Sequence, residues 1–237
     1  EISASLVGSE MCIRDSLSEE LKQELSVLPK GLLHLEAGIQ SLKESVLQQS
    51  HRIGKLSDAL EGLKYLCSLK NMETHADLIA GLPLYHLSEI FEDVRTLAEY
   101  GAGEIQLESL KLLPGTEMRR RAEELGIQYA PLPPYEVLQT REISVDELQT
   151  ARVLSRLLDG FYNTPTWQNI TRTLMLENEH FLHHFLDHLM QIGLIDQPLS
   201  LEKRGLILYE FCKQNYPAYQ TPVSYTHLRA HETGRNL

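Results

Sequence analysis

Three groups of residues have the types and spacing to do chemistry. The first is a set of polar residues at the ends of apolar runs: Glu36, Gly38 and Gln40, then Asp77, Gly81 and Pro83, then Lys111, Pro114 and Gly115. Carboxylates, an amide and glycines in such places suit hydrogen bonding to a polar ligand that backbone must approach closely. Asp77 stands beside Ile79 in an apolar pattern, so its carboxylate needs a hydroxyl, an amide or a cation. A structural Asp holding a neighbouring loop explains the same pattern. The second group is His180, His183, His184 and His188, of which three follow at steps of four and share a helix face. Two histidines at that step can bind Zn²⁺, but Leu182, Phe185, Leu186, Leu189 and Ile192 form the apolar face. The histidines then fall on the solvated side, and no HExxH accompanies them. The third group is Arg119, Arg120 and Arg121, which read as a solvated helix face in an acidic chain.

The elements that must position the first group are legible as an alternation. Helical spacing covers 17–28, 41–49, 56–69, 88–100 and 117–125, with Ser41 and Ser88 as caps and Gly101 and Gly126 as stops. Strand patterns cover 31–38, 73–80 and 104–113. Strand and helix in turn at this spacing mean βα units and a parallel sheet, whose ligands gather at the carboxyl ends of the strands. A Pro-rich stretch at 129–143 reads as a linker. From 144 to 221 the pattern is wholly helical, opening on the capping box of Ser144 and Glu147. Trp167, Phe161 and Tyr162 read as core of this tail, or as the wall of a cleft between domains. No Walker motif, GxSxG or GxGxxG occurs.

Composition narrows the classes. The chain has 237 residues and a net charge of -11, which leaves no electrostatic footprint for a phosphate backbone. No nucleic acid is expected as main ligand. No apolar run approaches a membrane span, and no membrane is expected. Cys12, Cys67 and Cys212 lie far apart, with neither a disulfide framework nor a CxxC pair, so a reducing cytoplasm is the expected compartment.

The ends carry a different signal. Residues 6–15 read LVGSEMCIRD and residues 223–232 read VSYTHLRAHE. One DNA string, CTC GTG GGC TCG GAG ATG TGT ATA AGA GAC, encodes the first, and its reverse complement encodes the second. The string resembles a transposase-type adapter used in sequencing libraries. Residues 1–16 and 222–237 are therefore expected to be adapter-encoded and outside the fold. Without them the chain loses three basic and four acidic residues and stays acidic.

Four features within 17–221 occur in order: LEAGIQS (35–41), Arg52, ADLIAGLP (76–83) and LLPGTEMR (112–119), with LGIQYAPLPPYEVLQT and FYNT beyond. Together they resemble the later strands of the radical S-adenosylmethionine (SAM) superfamily, in its cobalamin-binding-type branch with an uncharacterised helical C-terminal domain. Each string alone is weak; their order carries the likeness. The resemblance implies the fold class: α/β, with about three βα units from the C-terminal part of a partial TIM-like barrel (17–128), then an all-helical domain (144–221). It implies a SAM-cleaving enzyme that forms a 5′-deoxyadenosyl radical, a 4Fe–4S cluster, cobalamin in some members, an unknown substrate and an electron donor for the cluster. Residue by residue, Gln40 matches a ribose contact, Asp77 a further polar contact to SAM and Arg52 a position that clamps the SAM carboxylate in some members. Ile79 and Gly81 match a strand passing the adenine, and Glu36 is a further candidate for the ammonium or ribose. One feature departs from the pattern. The CxxxCxxC loop that holds the cluster is not in this sequence, and its place would be upstream of Leu17. Cys67 and Cys212 fall on apolar helix faces and read as core. The fragment alone is thus expected to be inactive. A different TIM-like enzyme, or a helical interaction module at 144–221 on a barrel scaffold, are the alternative readings. Residues 17–221 alone are also expected to expose an open sheet edge and an uncovered apolar face, and so to aggregate.

Overall fold

Alternation along the strands decides which side of the sheet is core. In the computed structural model, which describes residues 9–13, 17–52, 54–193 and 197–219, four parallel strands lie in the order β1 (Ser9–Ile13), β2 (Leu33–Gln40), β3 (Glu73–Ala80) and β4 (Glu104–Ser109). Most of the two end segments therefore lies outside the described residues, but Ser9–Ile13, expected outside the fold, pairs with β2 as a strand of the sheet. Leu35, Ala37 and Ile39 of β2, Ala76, Leu78 and Ala80 of β3, and Ile105 and Leu107 of β4 are all buried. Leu35 packs with Leu17, with Leu25 of α1 (Glu19–Val27) and with Leu66 of α3 (Leu56–Ser68). The opposite face carries His34, Glu36 and Gln40, then His75, Asp77 and Ile79, then Glu104 and Gln106, all half-buried. The expected uncovered apolar face is thus corrected: the period-2 pattern sends the apolar side chains to the helices and the polar ones to the other face.

The crossovers are helical, as parallel neighbours require. Between β2 and β3 come α2 (Glu44–Gln49) and α3; between β3 and β4 comes α4 (Leu87–Tyr100). Two caps differ from the sequence reading. Lys43, not Ser41, is the N-cap of α2, and Ser41 instead accepts from the Lys43 amide at 3.1 Å and donates to Asp93. His86, not Ser88, caps α4, its amide donating to Glu89 at 3.0 Å. Gly101 and Gly126 close their helices in the left-handed conformation as expected.

β4 ends at Ser109, earlier than the apolar run to 113, because Pro114 and Gly115 follow closely and Lys111 bridges to Glu136. Residues 117–125 form two short helices, α5 (Glu117–Arg120) and α6 (Ala122–Leu125). The stretch expected as a linker carries structure of its own. β5 (Gln128–Tyr129) and β6 (Val137–Gln139) pair antiparallel around a Pro-rich turn with a cis Pro133–Pro134 bond.

Two compact units divide at Arg152 and Val153, inside α7 (Val145–Leu157) and beyond the Pro-rich stretch. The second unit is helical. It contains a π-helical turn (Leu158–Tyr162), α8 (Pro165–Glu177), α9 (Phe181–Gln191), α10 (Leu201–Asn215) and a closing 3₁₀ turn (Pro217–Tyr219). Its core includes Trp167, with Phe181, Phe185 and Phe211 in mutual ring contact. Among the described residues no helix is long and apolar enough to cross a membrane.

Candidate functional site

The polar sheet face brings most of the predicted residues together. Asp77 and Glu36 come from adjacent strands and point to the same side. The β2–β3 register shifts between Ala37 and Gln40. That irregularity brings Gln40 opposite Leu78, with Gln40 itself at φ 69°. A non-glycine residue held in the left-handed region costs of order 1 kcal/mol and marks a backbone shaped by its surroundings. Arg52, beyond α2, donates from Nη2 to the Gly38 carbonyl. A Cβ on Gly38 would stand 3.9 Å from Arg52 Nη2 and 4.0 Å from Asp77 Oδ2. The glycine therefore opens a notch bounded by one guanidinium and one carboxylate.

Asp77 is the electrostatic centre of this notch. Its Oδ1 is buried with no hydrogen-bond partner among the described residues. Burial, then hydrogen bonding with and like charge from Glu36, then the charge of Glu108, push its carboxyl up to about 7. Ile79 follows on the same face toward the carboxyl end of β3. Gly81, at φ 91°, behaves differently. A Cβ there would meet Val137 Cγ1 at 3.3 Å and Leu110 Cβ at 3.6 Å, so close packing against β6 accounts for this glycine.

A buried hub ties the loops that frame the site. Asp93 of α4 is 1% exposed. It accepts from the Leu42 amide at 2.7 Å, the Tyr85 hydroxyl at 2.6 Å and the Ser41 hydroxyl at 3.2 Å. Ser41 and Leu42 follow β2, and Tyr85 follows β3, so one carboxylate fixes both loops at the strand ends. Burial raises the Asp93 pKa, and the three donors and Lys43 counter it. Asp93 falls on the same helix face as Ile90, Val94 and Leu97, a spacing from which the sequence could have shown a buried carboxylate, but not the loops that partner it.

The sequence reading also missed a second polar ladder nearer the strand starts. His34 and His75 meet through their Nε2 atoms, His75 Nε2 lies 3.0 Å from Glu104 and His75 Nδ1 lies 3.2 Å from the Gln106 amide. The alternation LHLE, ETHAD and EIQLE held the signal. No group of three His, Cys, Asp or Glu among the described residues is placed to hold a metal ion. That includes the α9 histidines, of which His184 Nδ1 contacts the Tyr216 hydroxyl at 3.1 Å. Nor do the described cysteines fit an iron–sulfur cluster. Cys67 and Cys212 stand in different units, and burial pushes the Cys212 thiol up to about 12.

The class these observations define is a mixed α/β chain with a small parallel sheet and a helical unit. Comparison with known proteins adds the following. Residues 123–227 match a family model described as a protein of unknown function, DUF4080. No curated protein matches. Two solved structures of the radical S-adenosylmethionine methyltransferase TsrM from Kitasatospora setae are similar. One, with tryptophan substrate and the SAM analogue aza-SAM, is 14% identical with a TM-score of 0.43 over 54% of this chain and 26% of that one. The other, with cobalamin and a [4Fe-4S] cluster, is 13% identical with a TM-score of 0.44 over 95% of this chain and 45% of that one. The chain thus spans less than half the length of either.

Proposed function

We propose that this chain is the later part of a radical SAM enzyme's barrel, with a helical unit following it, and that its polar sheet face is one wall of the SAM site. The observation that carries this reading is the notch of Glu36, Gly38, Arg52 and Asp77, formed by the residues of the ordered motifs and holding an orphaned buried carboxylate oxygen. When bound at a reduced cluster, S-adenosylmethionine supplies a carbon centre able to abstract hydrogen. This chain's residues bind and orient it. Asp77 and Glu36 form an acidic wall suited to a sulfonium or ammonium, and a cation placed there draws the Asp77 proton off. Asp77 Oδ1 is an acceptor for a ribose hydroxyl. Arg52 matches a planar carboxylate by its fork geometry. Gln40 offers an amide at the strand end, Ile79 an apolar contact for a ring, and Gly81 a close turn below it. The cluster ligands have no counterpart among the described residues, and on this reading they precede Leu17. Cobalamin, an electron donor, the substrate and a cytoplasmic setting belong to the whole enzyme.

The test is to recover the reading frame upstream of Leu17 from the source DNA by long reads across both ends. The recovered chain is then expressed without oxygen and reduced. A CxxxCxxC loop with formation of 5′-deoxyadenosine from S-adenosylmethionine is the expected result. An upstream frame without that loop overturns the reading.

A further inference from the structure

The helical unit holds a cavity of its own. It measures about 190 Å³, and its walls include Arg156, Arg204, Asp159, Phe161, Leu189 and Leu199. It lies against the π-helical turn, where the Asn163 amide reaches back five residues to the Leu158 carbonyl at 2.7 Å. Single π turns of this kind recur at functional sites because the wider turn releases backbone groups from the helical ladder. Here the Gly160 carbonyl accepts from Arg204 Nη1 at 3.4 Å, and the same nitrogen donates to Thr164 Oγ1 at 3.3 Å. Both bonds are long, and both use one nitrogen of the guanidinium. No carboxylate among the described residues lies within ion-pair distance of Arg204. Asp159, the acid in the wall, instead accepts from the Asn163 amide group at 3.0 Å.

A guanidinium without a carboxylate, set beside an apolar wall, defines a ligand class. Phe161 and Leu189 are buried and Leu199 is half-buried. The volume falls below the ~300 Å³ at which drug-sized ligands begin to fit. Asp159 in the wall opposes a dianion by like charge, which favours a monoanion over phosphate. We propose that this cavity binds a small aliphatic monocarboxylate, its carboxylate on Arg204 and its tail against Phe161, Leu189 and Leu199. The proposal stands on the helical unit alone and is independent of the SAM reading.

The test uses the full chain and 4-methylpentanoate as probe, followed through the backbone amide resonance of Gly160. A saturable shift with a midpoint of about 1–10 mM is expected, the range open to so small a ligand. Arg204→Gln should weaken it at least ~10-fold. Because Arg204 also braces α10 on the π turn, Leu199→Asp is the second variant. It leaves the Arg204 bonds in place, sets a like charge against the tail, and should cost a similar factor. Absence of a saturable shift up to about 50 mM overturns the site. So does a shift that both variants leave unchanged. Inorganic phosphate saturating at or below the carboxylate midpoint overturns the ligand class.

Discussion

At the scale of single residues, two carboxylates make opposite predictions. Asp77 has a folded pKa of about 7, above its ordinary 3.8. The folded chain therefore favours the protonated form. Its contribution to stability is fully present below about pH 4 and is lost as pH rises through about 7. Asp77→Asn cannot ionise, so this loss should vanish. Thermal melts at about pH 5 and about pH 8 should show the variant falling less between the two than the parent does. Asp93 is raised in the same direction, which adds to the slope of both proteins and cancels in the difference. Equal slopes in parent and variant would mean that Asp77 titrates normally. Asp93 itself predicts loss. Asp93→Ala strands the Tyr85 and Ser41 hydroxyls and the Leu42 amide, which at about 1–3 kcal/mol for each buried unpaired group gives a cost of at least about 3 kcal/mol. Tyr85→Phe removes one donor and should cost about 1–2 kcal/mol. Urea unfolding of the two variants checks both. Asp93 did not reveal its role in the sequence, because that role depends on which loops arrive beside it.

At the scale of elements, spacing was informative wherever one face of an element is buried. β3 occupies 73–80, the run its alternation marks, and α3 lies within a residue of its pattern. Termini were less legible: Ser88 reads as the cap of α4, but His86 takes that position, its amide donating to Glu89. The β5–β6 pair was invisible because so short a pairing leaves no period to count. The π turn was invisible because one extra residue does not alter the apolar pattern around it. Gly81 shows how packing finishes what local preference begins. Its φ of 91° already excludes most side chains, and Val137 Cγ1, 3.3 Å from where a Cβ would stand, closes the remaining space. Gly81→Ala should therefore destabilise the chain by about 1–3 kcal/mol, read from denaturant unfolding. Measured against Val137→Ala alone, so that the cavity cost of that buried valine cancels, Gly81→Ala should still lose the backbone-strain part. No loss against Val137→Ala would show that the conformation itself costs little.

At the scale of the molecule, the sheet has an unexpected neighbour. Ser9–Ile13 falls in the segment whose coding resembles adapter DNA, yet it pairs parallel with β2 in register from Leu33 to Ala37. Strand pairing is made by backbone groups, so an exposed edge accepts many extended segments whatever their side chains. On the barrel reading, β2 is the edge that an earlier strand would cover, and β1 occupies it. This makes β1 a cover for a reactive edge. A chain that begins at Leu17 should then expose the N–H and C=O groups along β2 and self-associate through them. Size-exclusion chromatography with light scattering compares the two chains directly. The 237-residue chain should run at lower mass than the shortened one at equal concentration, and the gap should widen as concentration rises. Identical monomeric masses would show that the β2 edge is harmless without β1. They would also undercut the case that an earlier barrel strand belongs there, because the long alternating edge of β2 would then need no partner.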